Sequence, residues 1–537
     1  MGAAERTRRG LVGAIAGVAA VIFGAGIGEL AAAILSPGSS PFAAIGSALI
    51  DFAPPWAKET AIGLFGTNDK AALLVGIAIV LLIVAGGAGI LEQRLPPWGR
   101  VVFILVGIAG AVAALTRADA GLLSWIPSIL AGVGASVALW MLVARAPAPA
   151  APAPASRDAA AEPSSAPGRA PSRVSRADDA GVDRRRFLLW SGGAVAIGVF
   201  ATIGGATLRA GARSVEAIRA KLTLPTPAAQ APAIPASAEL GIPGLSSVVT
   251  PNASFYRIDT ALIVPQVDPA DWSLRVYGMV ENEFTLTWDE LLALPLEESV
   301  TTLTCVSNAV GGDLIGNALW LGHPIRALLA RAKPTADADM VLSRSIDGFT
   351  ASSPLEALTD DRNAILAVGM NGDLLPAEHG FPVRMVVPGL YGYVSATKWV
   401  TELQVMRYTD AAAYWTQRGW SERGPIKLES RIDVPRKSQG LKAGDTVIAG
   451  VAWQQHVGVS GVEVQIDEGD WMPATLATAI SDDTWVQWSI PWTATAGDHL
   501  LRCRAISATG EVQTGTLADV VPDGATGWNE RFITVFA

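Results

Sequence analysis

The stretch Thr302-Leu303-Thr304-Cys305-Val306-Ser307-Asn308-Ala309-Val310-Gly311-Gly312-Asp313-Leu314-Ile315-Gly316-Asn317 sets a single cysteine among small and polar residues. Because no second cysteine is near, Cys305 forms neither a local disulfide nor a CxxC zinc site. A free thiolate either holds a soft transition metal or attacks an electrophile. Gly311 and Gly312 give the backbone room to approach a bulky group. We therefore predict that the chemistry of this chain is centred on Cys305.

A second set of residues has the composition of an anion-binding site. Arg384 lies within an apolar run, and an arginine is almost never buried without a partner. Ser395, Thr397 and Lys398 follow the glycine-rich segment 388–394. A bidentate arginine, a lysine, hydroxyls and glycine-loop N–H groups together suit a phosphate dianion. His379 either contacts the same ligand or caps a turn.

Several motifs in this order resemble the sulfite oxidase family over residues 250–537. They are Asn252-Ala-Ser-Phe-Tyr-Arg257, the Cys305 stretch, Asp347-Gly-Phe-Thr350, His379-Gly-Phe-Pro-Val-Arg384 and Gly392-Tyr-Val-Ser-Ala-Thr-Lys398. The resemblance implies a molybdenum-molybdopterin cofactor with Cys305 as its only protein ligand to the metal.

The resemblance also implies which residues form the site. Pterin contacts are implied for Asn252, Tyr256, Arg257, Thr350, His379, Arg384, Ser395, Thr397 and Lys398. Asp347 is implied in the turn beside the site, as a catalytic residue. Tyr391 either lines the pocket or packs, and Arg431 either binds an anionic substrate or forms a surface ion pair. Cys503, in a strand pattern, is predicted to be a core residue.

Composition places part of the chain in lipid. Of 537 residues, 50% are hydrophobic and only 17% are charged, and the mean hydropathy is +0.36. Apolar runs at 11–36, 71–91, 101–116, 121–144 and 187–208 are predicted membrane spans, and the run 41–53 is too short to cross. Glu29, inside the first run, is costly in lipid and therefore either functional or paired.

A net charge of -9 argues against nucleic acid as a partner.

Arginines predict the orientation of these spans. Three precede the first run, two flank the loop after the second, and eight lie between Arg145 and Arg186. With alternating spans, all three groups fall on one side, which the positive-inside rule makes cytoplasmic. Asp183-Arg184-Arg185-Arg186-Phe187-Leu188 resembles a twin-arginine export signal, although an ordinary positive flank has the same charge. We expect a multi-pass protein of the cell membrane, with its catalytic part extracytoplasmic and the fifth span either cleaved or retained.

The predicted fold is multi-domain: an α-helical membrane region, an α+β molybdopterin domain of the sulfite oxidase type, and an all-β immunoglobulin-like sandwich. The predicted segments are a four-span region at 1–144, a disordered cytoplasmic linker at 145–183, a signal or fifth helix at 184–209, a second linker at 210–250, the catalytic domain at 251–409 and the sandwich at 410–537. The sandwich resembles the family's dimerisation domain, which implies that a homodimer can form.

The predicted function is oxygen-atom transfer to or from a small substrate. Sulfite itself is in doubt, because no basic residue follows Cys305 within Val306–Gly312. The sequence contains no CxxCH motif, and the predicted spans contain no histidine, so neither type of haem attachment is expected. The electron partner is then another protein or a small carrier, and membrane lipid surrounds the spans. Two alternatives stay open: a hydrolase or transferase with Cys305 activated by His379, and a non-catalytic membrane scaffold.

Overall fold

The computed structural model describes residues 3–36, 38–54, 60, 69–117, 120–146, 176–212, 215–436 and 440–537. The chain divides into two compact units, one comprising Met1–Ala53 and Thr60–Ala212 and the other comprising Pro54–Glu59 and Arg213–Ala537. Most of the predicted linker 145–183 lies outside the described residues.

The first unit is built from helices. They are α1 (Ala3–Leu35), α2 (Pro41–Phe52), α3 (Asp69–Arg94), α4 (Trp98–Leu115), α5 (Ile126–Ala144) and α6 (Arg176–Ala212). All of these except α2 contain a segment long and apolar enough to cross a membrane, which confirms the five predicted helices. Helix α2, with 12 residues, is too short to span, as predicted. Helix α6 begins inside the predicted linker, since no proline lies between Pro171 and Pro225 to interrupt it.

Small residues allow the helices of this unit to pack closely. A Cβ atom at Gly17 of α1 would collide with the carbonyl oxygen of Ala85 on α3, and one at Gly89 would collide with that of Gly13. Such contacts are typical of helices that associate in lipid. Glu29 is buried on α1 and accepts a 2.6 Å hydrogen bond from Ser40 Oγ, at the N-terminus of α2. Glu29 is therefore a paired residue of this unit.

The second unit begins with a mixed part that contains two five-stranded sheets. Its helices are α7 (Val215–Arg219), α8 (Trp288–Leu292), α9 (Ile325–Ala332), α10 (Leu355–Thr359) and α11 (Gly392–Ser395). Its strands are β1 (Ser273–Gly278), β2 (Phe284–Thr287), β3 (Glu297–Thr304), β4 (Ile315–Pro324), β5 (Met340–Ser345), β6 (Thr350–Pro354), β7 (Ile365–Met370), β8 (Asp373–Leu374), β9 (Arg384–Val386) and β10 (Val400–Met406). One sheet has the order β2-β1-β10-β5-β6, and the other has the order β3-β4-β7-β8 with β9 also paired to β7.

The rest of the second unit is all β. Its strands are β11 (Glu429–Val434), β12 (Gly444–Trp453), β13 (Val459–Ile466), β14 (Met472–Pro473), β15 (Thr475–Leu476), β16 (Val486–Ala494), β17 (Gly497–Ser507) and β18 (Asn529–Val535). They form two four-stranded sheets, β11-β12-β16-β15 and β14-β13-β17-β18, with antiparallel pairing. Side chains from both sheets, including Trp488 and Cys503, share one core. An all-β C-terminal part is thus confirmed, and its likeness to an immunoglobulin domain stays a prediction.

The fold places Cys305 directly after β3, at the start of the loop that leads to β4. The Cys305 N–H donates to the Leu314 carbonyl at 2.9 Å and closes this loop. From the all-β part, Gln455 Nε2 donates to Thr304 Oγ1 at 2.8 Å, one residue before the cysteine. The position of Cys305 therefore depends on both parts of the second unit.

Candidate active site

Cys305 is buried, with polar groups around it. The Asn308 N–H donates to the Cys305 carbonyl at 3.0 Å, and Asn308 Oδ1 accepts from the Leu314 N–H at 2.9 Å. Burial raises the pKa of the thiol above its usual value, while hydrogen bonds from Ser307 and the charge of Lys398 act in the opposite direction. Asn308 Nδ2 is buried without a hydrogen-bond partner within the described residues. Burying an amide N–H group without a hydrogen-bond partner raises the free energy of the folded state. The unpaired amide therefore indicates that a polar group binds in the neighbouring space.

Arg384 is a buried cation whose contacts include no carboxylate. Its Nη1 donates to the His379 carbonyl at 3.1 Å and its Nε to the Met385 carbonyl at 3.4 Å. Its guanidinium carbon lies 5.0 Å from the centroid of the Trp320 ring. Burial lowers the pKa of Arg384 to about 10. Across the described residues it has no ion pair, so the site retains an uncompensated positive charge.

Lys398 and Arg257 share one carboxylate, that of Asp259. Lys398 Nζ contacts Asp259 Oδ2 at 2.5 Å and the Glu378 carbonyl at 3.0 Å, and Arg257 Nε contacts Asp259 Oδ2 at 2.9 Å. Burial lowers the pKa of Lys398 to about 8, against the raising effect of Asp259. With Arg384, this group contains three cations and one carboxylate. Its surplus of two positive charges equals the charge of one phosphate-ester dianion.

His379 and the Asn252 segment border this charged group. His379 Nε2 donates to the Asn252 carbonyl at 3.1 Å, and burial, together with Arg384 and Lys398, lowers the pKa of His379 to about 4. The imidazole is therefore neutral at pH 7. Asn252 Oδ1 accepts from Asn371 Nδ2 at 2.8 Å.

Tyr256 interacts electrostatically with both Cys305 and Arg384. Burial raises its pKa, and the negative charge of the Cys305 thiolate raises it further, whereas Arg384 lowers it. A Cβ atom at Gly392 would lie 3.9 Å from the Tyr256 hydroxyl and 3.8 Å from the Thr304 carbonyl. The missing side chain at Gly392 thus leaves room between the tyrosine and the end of β3.

Four other predicted residues are held by protein groups. Ser395 Oγ donates to the Tyr391 carbonyl at 2.9 Å, and Thr397 Oγ1 lies 2.7 Å from Ser343 Oγ. Thr350 Oγ1 accepts from the Tyr414 N–H at 3.0 Å, and Asp347 Oδ2 accepts from Thr260 Oγ1 at 3.2 Å. These contacts fix Ser395, Thr397, Thr350 and Asp347 as parts of the scaffold around the site, so they give no direct support for ligand contacts.

Tyr391 and Arg431 lie toward the all-β part. The Tyr391 hydroxyl accepts from the Lys427 N–H at 3.4 Å and abuts Gly524, and the side chain is buried. Arg431 Nε donates to Asp433 Oδ1 at 2.7 Å and its Nη1 to the Gly312 carbonyl at 2.8 Å. Arg431 therefore binds the loop after Cys305 from β11. It lines a cavity of about 500 Å³, but its guanidinium is already occupied by protein acceptors.

Sequence reasoning missed three residues of the site. Asp259 compensates Lys398, Asn308 carries the partnerless amide, and Gln455 secures the end of β3. A buried lysine requires a carboxylate, but no spacing rule indicates which of the acidic residues supplies it. Asn308 lies only three residues after Cys305, and a polar amide in a loop that closes on itself was an available signal.

Comparison with known proteins finds similarity to a molybdopterin-binding domain and to oxidoreductases. The family described as oxidoreductase molybdopterin binding domain matches residues 261–415. The mitochondrial sulfite oxidase of Homo sapiens is 28% identical over 332 residues, which cover 53% of this chain and 59% of that protein. The uncharacterized oxidoreductase YuiH of Bacillus subtilis is 31% identical over 183 residues, which cover 33% of this chain and 89% of that protein.

Among solved structures, the sulfane dehydrogenase SoxCD of Paracoccus pantotrophus aligns over 54% of this chain and 82% of that chain, at 22% identity and a TM-score of 0.48. The chain spans less than two thirds of the human sulfite oxidase that it matches. Cys305, His379, Arg384 and Lys398 lie inside the matched family region, whereas Tyr256 and Arg431 lie outside it.

Proposed function

The chain belongs to the sulfite oxidase family of molybdopterin oxidoreductases, and from this premise we propose that its second unit transfers an oxygen atom to or from a small substrate. The cofactor of such a protein is molybdenum-molybdopterin. The redox chemistry belongs to that cofactor, and the protein supplies position and electrostatics.

The burial of Arg384 without a carboxylate partner among the described residues is the observation that supports this proposal most strongly. A buried arginine without a carboxylate partner is unfavourable unless an anion completes its surroundings. The phosphate of molybdopterin supplies that anion, and its two charges equal the surplus left by Arg257, Lys398, Arg384 and Asp259. In this assignment Arg384 and Lys398 hold the phosphate, while neutral His379 fixes the Asn252 segment beside it.

Cys305 is the proposed protein ligand to molybdenum. Its thiol is buried, so it ionises readily only when a cation is nearby, which a metal ion provides. The Asn308 amide and the Tyr256 hydroxyl, beside the space left by Gly392, are proposed to orient polar atoms at the metal and to exclude bulk water. Arg431 was predicted either to bind an anionic substrate or to form a surface ion pair. We propose instead that it holds the Cys305 loop.

The two alternative functions receive less support. A cysteine nucleophile needs a lowered pKa and a base within hydrogen-bond reach. Burial instead raises the pKa of Cys305, and His379 has a pKa of about 4 and contacts the Asn252 carbonyl. A purely structural role would not require a buried arginine without a carboxylate partner at Arg384 or a buried amide N–H group without a hydrogen-bond partner at Asn308 among the described residues. We propose neither alternative.

Metal analysis of the purified full-length chain tests the proposal. Protein from cells that make the cofactor should contain about one molybdenum per chain, and Cys305→Ala should contain less than about a tenth of that amount. Cys503→Ala is the matched control, because Cys503 is also a buried free cysteine but lies in the core of the all-β part. Molybdenum retained by Cys305→Ala, or absent from the unaltered chain, would contradict the assignment.

Substrate, sidedness and partners are further proposals. We propose an extracytoplasmic catalytic unit anchored in the cell membrane, and a screen of sulfoxides, N-oxides and sulfite with a viologen dye would identify the substrate class. A homodimer through the all-β part is also proposed, by analogy with the family.

A further inference from the structure

The helical first unit contains an apolar cavity that the catalytic assignment does not use. Its volume is about 300 Å³, and residues of α1 to α6 line it, among them Ile22, Phe42, Leu81, Phe103 and Ala135. This volume matches the lower end of sites for small organic ligands. The described lining residues carry no charge. Any occupant must therefore be largely hydrocarbon.

One polar atom of this cavity lacks a partner. Ser128, in the first turn of α5, lines the cavity, is 1% exposed, and its Oγ makes no hydrogen bond within the described residues. A serine in the middle of a helix usually donates to a carbonyl one turn earlier. The carbonyl of Trp125, three residues before Ser128, instead accepts from the Ile129 N–H at 3.3 Å. In a lipid environment no water replaces the missing acceptor.

Glycine makes space for this hydroxyl. A Cβ atom at Gly110 of α4 would lie 3.0 Å from Ser128 Oγ and 3.6 Å from Ile45 Cδ1. The Thr202 hydroxyl, which also belongs to the cavity lining, is already bonded to the Gly198 carbonyl at 2.9 Å. Ser128 is thus a lining residue whose hydroxyl, buried beside Gly110, has no protein partner among the described residues.

We propose that this cavity binds a lipid-soluble quinone, with one ring carbonyl accepting a hydrogen bond from Ser128 Oγ. A quinone combines an apolar ring and tail with a carbonyl acceptor, which is the combination that the lining requires. A phospholipid acyl chain would fill the volume but would leave the Ser128 hydroxyl unpaired. A charged or strongly polar ligand would lose its hydration without compensation.

The ligand class also suits the electron balance of the proposed function. If a substrate X gains an oxygen atom from water, two electrons and two protons are released, and X + H₂O + quinone gives XO + quinol. The role as electron acceptor rests on the proposed function. The binding itself does not, because it can be measured with chain that contains no molybdenum.

Titration of the full-length chain with decylubiquinone tests the inference. The protein is reconstituted in nanodiscs of purified phospholipid without quinone, and binding is followed by calorimetry. We expect saturable binding, weakened about tenfold by Ser128→Ala, since one hydrogen bond is lost from a site that is otherwise unchanged. This substitution removes only a partnerless hydroxyl and should not impair folding.

Ser191→Ala is the matched control. Ser191 Oγ on α6 is also buried without a partner within the described residues, but Ser191 does not belong to the cavity lining. Its substitution should leave decylubiquinone affinity unchanged. Equal affinity of the unaltered chain and Ser128→Ala, absence of saturation, or displacement of the probe by phospholipid alone would overturn the inference. A chain that binds quinone but no molybdenum would overturn only the proposed function.

Discussion

The carboxyl group of Glu429 has an unusual environment at the start of β11. The side chain is buried, and its Oε1 has no hydrogen-bond partner in the described part of the chain. Burial raises the pKa of Glu429 from 4.5 to about 8, although the charge of Lys427 acts against this rise. The folded protein therefore keeps a proton that the unfolded chain loses between pH 4.5 and pH 8.

Glu429→Gln should change how stability depends on pH. Because the native state binds more protons than the unfolded state in this window, stability falls as pH rises from about 4.5 to about 8. Glutamine has a similar volume and no charge, so the variant should gain up to about 4 kcal/mol over the unaltered chain by pH 8. Thermal unfolding in detergent across this pH range measures the difference. Parallel profiles for the two proteins would show that Glu429 titrates normally.

Individual residues were predictable where chemistry alone restricts the options. Cys305 stood out because soft-metal binding needs a thiolate, and Arg384 because a buried guanidinium needs an anion. Ser395 was predicted to contact the ligand, yet its hydroxyl donates to the Tyr391 carbonyl. A hydroxyl that meets a local backbone acceptor is a common competing outcome, and sequence does not reveal which acceptor lies closer.

The loop between β3 and β4 is held from outside by β11. Arg431 reaches the Gly312 carbonyl at 2.8 Å, and Ser246 Oγ accepts from the same guanidinium at 2.9 Å. A Cβ atom at Gly311, whose φ is +75°, would collide with the Asn529 amide. The loop that carries Cys305 is thus restrained on its far side by strands of the all-β part.

Arg431→Met should loosen this loop. Methionine has similar length but no donor, and the buried Asp433 loses its counter-ion. We expect Cys305 in cofactor-free protein to react with iodoacetamide about tenfold faster, because local opening becomes less costly. Mass spectrometry measures this rate. Arg504→Met, which removes a pair with Glu463 on another sheet, should leave the rate unchanged. An unchanged Cys305 rate in Arg431→Met would argue against this restraint.

Strongly patterned elements can be read from the sequence. Thr287 and Glu290 have the spacing of a capping box, which begins α8, and apolar residues alternate with arginines in the middle of β17. Strands β11 and β18 lack such a clear pattern. Charged residues interrupt both of them, and tertiary pairing, such as Arg431 with Asp433, permits those charges inside a sheet.

At the scale of the whole molecule, substitution of the arginines before the fifth span distinguishes a twin-arginine export signal from an ordinary positively charged flank. Arg184→Lys with Arg185→Lys preserves every positive charge. If the pair is an export signal, the second unit should stay inside the cell and resist protease in spheroplasts. If only charge sets the orientation, digestion should match that of the unaltered chain. A substitution of Arg173→Lys, in the same arginine-rich region, serves as the control.

The five long apolar helices followed from composition, because an apolar run of sufficient length is a local property of the sequence. Some contacts that form the site, however, join residues more than a hundred positions apart, such as Asp259 with Lys398 and Asn252 with His379. Those pairings arise from packing and have no local signature.

Asp259 has a consequence for the order of maturation. Its carboxylate contacts Lys398 and Arg257 and therefore acts as a counter-ion that limits mutual repulsion among the cations of the site. We therefore expect the polypeptide to fold before its prosthetic group binds. Cofactor insertion would then be a late step of maturation, and the folded apo-protein would be the intermediate that receives the cofactor.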